Sequence, residues 1–367
     1  MKYYIIAGEA SGDLHGSHLI QQILQIDTTA NIRCWGGHLM EQAGGVLVKN
    51  YKTLAFMGFA EVIKNLPTII KNIQFCKKDV TNFAPDVLVL IDYPGFNLRI
   101  AKWAHTQGIK VLYYISPQIW AWKASRVHAI KRDVDKMLVI LPFEKSFYQQ
   151  YQYDVTYVGH PLAHIIADYK SKHAHIPKQN VIALLPGSRQ QEILVKLPIM
   201  LSVAAHFTQY SFVVAKAPGV DDALYQQLLK PYKNVQTVAN NTYMLLTQAK
   251  AALVTSGTAT LEAALFNVPQ VIVYKGSSLS YQIAKRLIKI KYIGLANLIM
   301  DKPMVKELIQ HELTQANLIA ELSILLKNGN DAESQLQQDY NALSHLLSQA
   351  GHASTNAAIQ VCKLASA

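Results

Sequence analysis

The sequence has no run of about 18 consecutive apolar residues, so it predicts no helix that spans a membrane. It has only three cysteines, and Cys34, Cys76 and Cys362 lie far apart without CxxC or Cys/His metal spacing. This pattern fits a reducing compartment and favours three small buried side chains. Charged residues make up 16% of the chain, which argues against a largely disordered protein. The short apolar start is followed at once by Glu9 and Asp13, which does not fit a secretory signal peptide.

The chain does have an excess of positive charge. Its 35 Lys and Arg residues outnumber 24 Asp and Glu residues, and the formal net charge is +11. Because the basic residues are spread over both halves, they do not form a basic tail. This balance suits anionic partners such as phosphorylated ligands, acidic lipid surfaces or nucleic acid.

The length of 367 residues suits two domains of roughly 150–200 residues each. In the first half, helical patterns alternate with strand-like runs at residues 3–7, 86–91, 110–115 and 136–141. Several runs are apolar without alternation, as is typical of strands covered on both faces. This order predicts a parallel sheet with right-handed crossovers. A second series of the same kind begins at residues 180–185.

The pattern weakens over residues 164–179, a polar stretch that closes with Pro177, and we predict the interdomain linker there. We therefore expect an N-terminal domain over residues 1–163 and a C-terminal domain over 164–349. Residues 350–367 predict a final helix that is able to pack back on the N-terminal domain. The predicted fold class is α/β, with two Rossmann-like domains facing a central cleft, and ligands are expected where strands end at that cleft.

Residues 8–13, Gly-Glu-Ala-Ser-Gly-Asp, follow the first strand and precede a helix. Glycines such as Gly12 allow the backbone to turn tightly and approach a ligand closely. Ser11 is a candidate cap of the helix. The segment is not GxGxxG, which disfavours a dinucleotide site. We predict that Glu9, Ser11 and Gly12 line the cleft or bind an acceptor substrate there. A simple tight turn with a cap is the alternative.

A second loop, Leu185-Pro186-Gly187-Ser188-Arg189, follows the first strand of the second domain. Backbone N–H groups at the start of the next helix are suited to bind phosphate, and a guanidinium adds a charged fork. We predict that Gly187, Ser188 and Arg189 bind a phosphorylated ligand. A loop with a solvated arginine is the alternative.

A third loop, residues 255–262, joins another strand to a helix. Its small residues Ser256, Gly257 and Thr258 expose a helix N-terminus that is suited to a diphosphate. Glu262 lies one turn beyond Thr258 on the same helix face and is placed to accept bonds from two ribose hydroxyls. Alone, the pattern is also that of a capped helix. Together with the loop at 185–189, it predicts a nucleotide-diphosphate site.

In the first domain, Asp92 follows an apolar strand and is expected at the carboxyl edge of the sheet. A carboxylate there is placed to deprotonate an attacking hydroxyl, although a helix cap is the alternative. Residues 116–122, Ser-Pro-Gln-Ile-Trp-Ala-Trp, follow the next strand. Gln118 and Trp120 are predicted to line an acceptor pocket, or else to pack at the domain edge.

Residues 56–78 combine aromatic, aliphatic and basic side chains. Such a mixture suits a helix that lies in a membrane interface, although a core helix has a similar pattern. The predicted membrane contacts are Phe56, Met57, Phe59, Lys64 and Lys71.

Taken together, these segments resemble the lipid-A-disaccharide synthase family, bacterial glycosyltransferases of GT-B type, and the likeness runs nearly end to end. The most specific anchors are residues 8–13 and 116–122. Further anchors are residues 56–59, 91–94, 141–144, 159–161, 185–189, 256–262 and 297–298.

The resemblance implies transfer of a sugar from UDP-2,3-diacylglucosamine to 2,3-diacylglucosamine 1-phosphate (lipid X). UDP is released and a β-1,6-linked disaccharide forms on the cytoplasmic face of the inner membrane. An inverting mechanism is implied, with Asp92 as the base and with Arg189 and Asn297 acting in UDP binding or in activity. Gly95 departs from family members that carry a second acidic residue at that point, which leaves Asp92 as the clearer base.

The resemblance also bears on cofactors and partners. The candidate site loops described above contain no Asp-x-Asp motif, so we expect neither a metal nor another cofactor. Peripheral contact with an anionic membrane is expected and nucleic acid is not, while oligomerisation stays open. Two alternatives remain: a UDP-GlcNAc 2-epimerase-like enzyme, which shares the 256–262 type of helix, and a non-catalytic basic module that binds lipid or nucleic acid.

Overall fold

A computed structural model describes residues 1–53, 66–277, 281–282, 285–286, 290–327 and 331–367. The chain forms two compact units, residues 1–161 with 347–367, and residues 162–346. Each unit is a parallel sheet between helices, which agrees with the predicted α/β class.

The first unit is built on seven parallel strands in the order β3-β2-β1-β4-β5-β6-β7. They are β1 (Lys2–Ala7), β2 (Asn31–Gly36), β3 (Val46–Asn50), β4 (Val87–Ile91), β5 (Val111–Tyr114), β6 (Lys136–Val139) and β7 (Thr156–Tyr157). Its helices are α1 (Ala10–Ile26), α2 (His38–Gln42), α3 (Leu66–Phe83), α4 (Pro94–Thr106), α5 (Ile119–Trp122), α6 (Val127–Asp133), α7 (Pro142–Gln149) and the C-terminal helix Ala353–Ser366.

The second unit has six parallel strands in the order β10-β9-β8-β11-β12-β13. They are β8 (Val181–Leu185), β9 (Ser211–Lys216), β10 (Val235–Ala239), β11 (Ala251–Thr255), β12 (Gln270–Tyr274) and β13 (Glu307–Ile309). Its helices are α8 (Pro161–Lys172), α9 (Gln190–Leu201), α10 (Asp222–Leu229), α11 (Thr242–Gln248), α12 (Thr258–Leu265), α13 (Leu295–Met300), α14 (Gln315–Leu325) and α15 (Asp331–Ser348).

The apolar strands are buried on both faces of their sheet. In β1, Tyr4 and Ile6 belong to the core cluster on one face, while Tyr3 and Ile5 belong to the cluster on the other. Unbroken apolar runs are therefore the expected pattern, because every residue of such a strand leaves water.

The C-terminal helix Ala353–Ser366 packs on α1 of the first unit. Ala357, Ala358 and Val361 lie in the same core cluster as Ile20 and Ile23. At its start, Thr355 Oγ1 donates a hydrogen bond of 2.6 Å to Gln22, and Asn356 Nδ2 donates one of 3.1 Å to the Val158 carbonyl. The chain thus begins and ends in the same unit.

The linker predicted over residues 164–179 is wrong for most of its length. Residues 161–172 form α8, and the division between units falls at Pro161 instead. The polar character of the segment reflects one exposed helix face, because Leu162 and Ile166 are buried. The Tyr169 ring also packs on Tyr243, with the ring centroids 5.4 Å apart.

In both sheets the strand order reverses at one point, between β1 and β4 in the first unit and between β8 and β11 in the second. Loops that leave neighbouring strands in opposite directions open a crevice there, where α/β proteins bind ligands. The loops after these four strands are residues 8–9, 92–93, 186–189 and 256–257, which are four of the predicted site segments.

Candidate functional site

The second unit has a pocket of about 480 Å³ at its strand-order reversal. The pocket brings together all the donor-site residues predicted from residues 185–189 and 256–262. These are Gly187, Ser188, Arg189, Ser256, Gly257, Thr258 and Glu262.

The loop after β8 is shaped by a glycine and a carboxylate. Gly187 has a φ of +123°, and a Cβ there would lie 2.3 Å from Glu192 Oε2. That oxygen accepts a 3.1 Å hydrogen bond from the Ser188 backbone N–H. Arg189 precedes α9 in an extended conformation, and its guanidinium makes no hydrogen bond or ion pair with the described residues. The arginine is therefore an uncommitted cation at the pocket wall.

The loop after β11 presents the start of α12 to the pocket. The helix has no side-chain cap, so the capped-helix alternative is wrong, and its first N–H groups lack an intrahelical acceptor. Gly257 has a φ of +152°, which favours glycine. The Ser256 hydroxyl is turned to the Ile293 carbonyl at 2.7 Å. An anion at this helix end would gain from the free N–H groups and the helix dipole.

Glu262 lies at the base of the pocket, one turn into α12. Burial raises the pKa of this carboxyl, and a hydrogen bond from Tyr243 opposes that effect. Tyr243 is itself held between aromatic rings of Tyr169 and Phe266, at 5.4 and 5.2 Å. The carboxylate is therefore positioned before any ligand arrives, which suits recognition of a diol.

Sequence reasoning missed three polar residues of the pocket, Glu192, Lys216 and Thr242. Lys216 ends β9, the neighbour of β8, and its Nζ lies 2.7 Å from Asp222 Oδ1. Its position at the carboxyl end of a parallel strand is the signal that identifies it. It adds a second cation to the pocket wall.

Asn297 does not line this pocket, in contrast to the prediction that it contacts UDP. It is buried in α13, where Nδ2 donates to the Val305 carbonyl at 2.8 Å and to Glu307 at 3.0 Å, and Oδ1 accepts from Val305 N–H at 3.0 Å. Glu307 also accepts from Ile293 N–H at 3.0 Å, and the Ile293 carbonyl receives the Ser256 hydroxyl. Asn297 thus supports the α12 loop from behind.

In the first unit, Asp92 occupies a strained turn directly after β4. Asp92 and Tyr93 have φ values of 43° and 48°, which non-glycine residues rarely adopt. Two side chains hold the turn: the Tyr113 hydroxyl and Asn97 Nδ2 both donate to the Asp92 carbonyl. Backbone strain of this kind persists only where the surroundings enforce it and is common at functional sites.

The Asp92 carboxyl has an unusual affinity for protons. Burial, with a contribution from the negative charge of Glu9, raises its pKa to about 6. A carboxylate with such a pKa is largely ionised at neutral pH and is a stronger base than an ordinary aspartate. The β1 and β4 loops meet because Gly8 has no side chain: a Cβ there would lie 2.3 Å from the Tyr93 ring.

The remaining residues of the 8–13 segment have different roles. Ser11 does not cap α1; the cap position is Glu9, which makes no side-chain cap bond, and Ser11 is an exposed residue of the first turn. Gly12 is buried against the sheet, where a Cβ would meet Ala7 Cβ at 3.0 Å. Asp13 accepts hydrogen bonds from three backbone N–H groups, those of residues 37, 39 and 40. Of the three predicted residues Glu9, Ser11 and Gly12, Glu9 is the one whose charge acts on Asp92.

Gln118 and Trp120 lie in the loop and short helix after β5, beside β4. Gln118 is exposed. Trp120 Nε1 donates to Glu144 Oε1 at 3.2 Å, and its ring meets Phe143 edge-on at 5.0 Å. Burial raises the pKa of Glu144 to about 7, against the donors that favour its charged form. These contacts agree with the packing alternative for Trp120.

Of the predicted membrane residues, Phe56, Met57, Phe59 and Lys64 lie outside the described residues. Lys71 lies on α3, on an exposed helix face. The same face carries Ile70 and Phe75, whose side chains are 51% and 47% exposed. No helix among the described residues is long and apolar enough to cross a membrane. Within those same residues, no cluster of His, Cys, Asp and Glu has the arrangement of a metal site.

Comparisons with known proteins agree on the family. A family model described as lipid-A-disaccharide synthetase matches residues 3–361. The chain is 39% identical over 329 residues to the lipid-A-disaccharide synthase of Geobacter metallireducens, covering 87% of this chain and 86% of the relative. It is 37% identical over 371 residues to that of Nitrosococcus oceani, covering 98% and 95%.

Solved structures agree on the fold. The glycotransferase of kitacinnamycin aligns with a TM-score of 0.69 at 14% identity, covering 99% of this chain and 98% of that one. A UDP-GlcNAc 2-epimerase from Neisseria meningitidis, solved with UDP-GlcNAc, aligns with a TM-score of 0.64 at 14% identity, covering 99% and 100%. These likenesses concern the two-sheet fold, whereas the sequence matches identify the family. The chain belongs to the lipid-A-disaccharide synthetase family and is a glycosyltransferase.

Proposed function

We propose that this protein joins UDP-2,3-diacylglucosamine to 2,3-diacylglucosamine 1-phosphate with inversion at the anomeric carbon, forming the β-1,6-linked disaccharide 1-phosphate and UDP. The observation that carries the proposal is the pocket of the second unit, which is lined by an uncommitted arginine, an uncapped helix start and the partly buried carboxylate of Glu262. This combination suits a nucleoside diphosphate, with cations and N–H groups for the phosphates and a carboxylate for the ribose.

The diphosphate becomes the leaving group in this reaction. Negative charge grows on its outer phosphate as the bond to the sugar breaks. The N–H groups at the start of α12 are fixed on the pocket wall, and Arg189 and Lys216 add two cations to it. Positive groups in this position stabilise the developing charge more than they stabilise the intact donor, and so they lower the barrier.

Asp92 is the proposed general base. It accepts the proton from the acceptor's primary hydroxyl while that oxygen bonds to the anomeric carbon from the face opposite UDP. The raised pKa of Asp92 supports this role, because a base works best with a pKa near the working pH. The hydrogen bonds from Tyr113 and Asn97 to the Asp92 carbonyl keep the residue in place.

The acyl chains of both proposed substrates reside in a bilayer, so the enzyme must dock on its surface. The face of α3 with Ile70, Lys71 and Phe75 supports peripheral docking, because exposed apolar groups insert among acyl chains while lysine meets anionic headgroups. The cytoplasmic leaflet of the inner membrane is the proposed location.

The direct test is incubation of the purified protein with UDP-diacylglucosamine and lipid X, followed by mass spectrometry and assignment of the anomeric configuration. We expect one disaccharide 1-phosphate with a β linkage and one UDP per transfer. Incubation with UDP-GlcNAc alone is the control for the alternative, a UDP-GlcNAc 2-epimerase-like activity. Conversion of UDP-GlcNAc to the 2-epimer, or UDP release without a disaccharide, would refute the proposal.

A further inference from the structure

An exposed tryptophan in the first unit carries two cations. Trp122 ends α5 with 49% of its surface exposed. Lys123 Nζ lies 4.5 Å from the centre of its indole, and Arg126 Cζ lies 5.4 Å from it. Cation–π attraction therefore holds two positive groups over one ring.

Neither cation has an acidic partner among the described residues. Within that part of the chain, the side chains of Lys123 and Arg126 make no ion pair and no hydrogen bond. Two like charges gathered at one ring repel each other, and a shared anion relieves this repulsion. A lysine and an arginine together offer one mobile ammonium and one planar fork, a combination that suits a phosphate group.

The pair is close to the proposed base. Tyr113 lies on β5, which pairs with β4, and its hydroxyl donates to the Asp92 carbonyl. The chain that leaves β5 forms α5 and then carries Lys123 and Arg126. The cations therefore lie in the same region of the first unit as the reacting hydroxyl of the acceptor would. They are separate in sequence from the donor pocket, which is formed by residues 185–262.

We propose that Lys123 and Arg126, ordered by the indole of Trp122, form the subsite for the phosphate monoester of the acceptor sugar. This inference rests on the proposed function, since it assumes a glycosyl phosphate as acceptor. The subsite lets the enzyme select a phosphorylated acceptor and fixes the far end of the sugar while Asp92 acts on its primary hydroxyl.

The test compares two acceptors that differ only in the phosphate, diacylglucosamine 1-phosphate and diacylglucosamine. We expect wild type to favour the phosphorylated acceptor by about 10- to 100-fold in kcat/KM, as is typical when two charge-assisted contacts are gained. In the double variant Lys123→Ala/Arg126→Ala, the preference should fall to within about threefold, with kcat/KM for the phosphate-free acceptor retained. Lys102→Ala removes an exposed lysine of the same unit and should keep the full preference.

An equal loss on both acceptors, or an undiminished preference in the double variant, would overturn the subsite. Vesicle binding of wild type and of the double variant, measured with phosphatidylglycerol vesicles, distinguishes a bilayer phosphate from the acceptor's own phosphate. A loss of vesicle binding with an unchanged acceptor preference would refute the proposal in favour of a membrane contact.

Failure of the proposed function would look different. If wild type transfers to neither acceptor, glucosamine 1-phosphate is titrated into the protein and its binding is followed by tryptophan fluorescence. The signal of Trp122 is the difference in fluorescence between wild type and Trp122→Phe. Saturable quenching that is absent from the double variant would support a glycosyl phosphate site. Absence of quenching in wild type would refute it.

Discussion

The raised pKa of Asp92 predicts an acid limb in the pH profile of kcat/KM, which reports ionisation of the free enzyme. With a pKa of about 6, roughly nine-tenths of Asp92 is ionised at pH 7 and roughly one-tenth at pH 5. Only the ionised form accepts the proton, so kcat/KM should fall about tenfold between these values. An aspartate with the ordinary pKa of 3.8 would stay more than about nine-tenths ionised over the same range, and the profile would be nearly flat.

Glu9→Gln tests the cause of the shift. The negative charge of Glu9 raises the pKa of Asp92, so its removal should lower that pKa and move the acid limb to lower pH. Because burial is the larger cause and remains, the limb should not return fully to the ordinary value. At pH 5 the variant should therefore keep a larger fraction of its own maximal kcat/KM than wild type does.

The acceptor's phosphate monoester also titrates near pH 6 and must be separated from the enzyme. Diacylglucosamine without the phosphate serves as that control, with kcat/KM measured from about pH 4.5 to 8.5. The limb should persist with this acceptor and should still move in Glu9→Gln. A limb that vanishes with the phosphate-free acceptor, or that Glu9→Gln does not move, would refute the assignment to Asp92.

Four further predictions concern the base, the donor pocket and the membrane face. Asp92→Asn should keep the fold and UDP binding but lose about 10²- to 10⁴-fold in turnover, and near-normal turnover would remove Asp92 from the mechanism. In calorimetry, Arg189→Ala should weaken UDP binding by about 10- to 100-fold through a lost charge-assisted contact, and Glu262→Gln should weaken it by a smaller factor; unchanged affinity in both would contradict the pocket assignment. Gly187→Ala should reduce UDP affinity, because the new Cβ would meet Glu192 and because alanine is strained at the positive φ of this position. Gly95→Ala should leave UDP affinity unchanged, since a Cβ at that position would have no atom within 4 Å. Ile70→Ser/Phe75→Ser should reduce binding to anionic vesicles about 30-fold with unchanged UDP affinity, since each of the two half-exposed side chains offers about 1 kcal/mol of burial. Leu39→Ser, at another exposed apolar residue, should bind normally, and equal losses in both variants would argue against the α3 face.

The strands at the centre of each sheet could be predicted from the sequence, and the reason is burial. β1, β4, β8 and β11 read as unbroken apolar runs because both of their faces are covered. The edge strands β3 and β10 could not be identified this way, because their residues are partly or fully exposed and mix polar with apolar side chains. The helix α8 was also missed, because its buried residues are few.

The chemical groups of the site were also available from the sequence. Asp92, Arg189 and Glu262 follow strands or begin helices, and strand ends in a parallel sheet are where ligands bind. Asn297 shows the limit of such reasoning. A motif position indicates that a residue matters, but it does not distinguish a side chain that contacts a ligand from one that supports a loop from behind.

By itself, the sequence determined the α/β class, the predicted loops and the family resemblance, because these depend on local pattern and on residue type. Only the tertiary structure decided which loops share a pocket and how each group is tuned. The pKa of Asp92 depends on burial and on Glu9, which is distant along the chain. The hydrogen bond from the Ser188 N–H to Glu192 and the positions of the two cations over Trp122 depend on side-chain geometry. Such interactions act over a few ångströms, and the order of the residues in the sequence does not show which side chains come that close together.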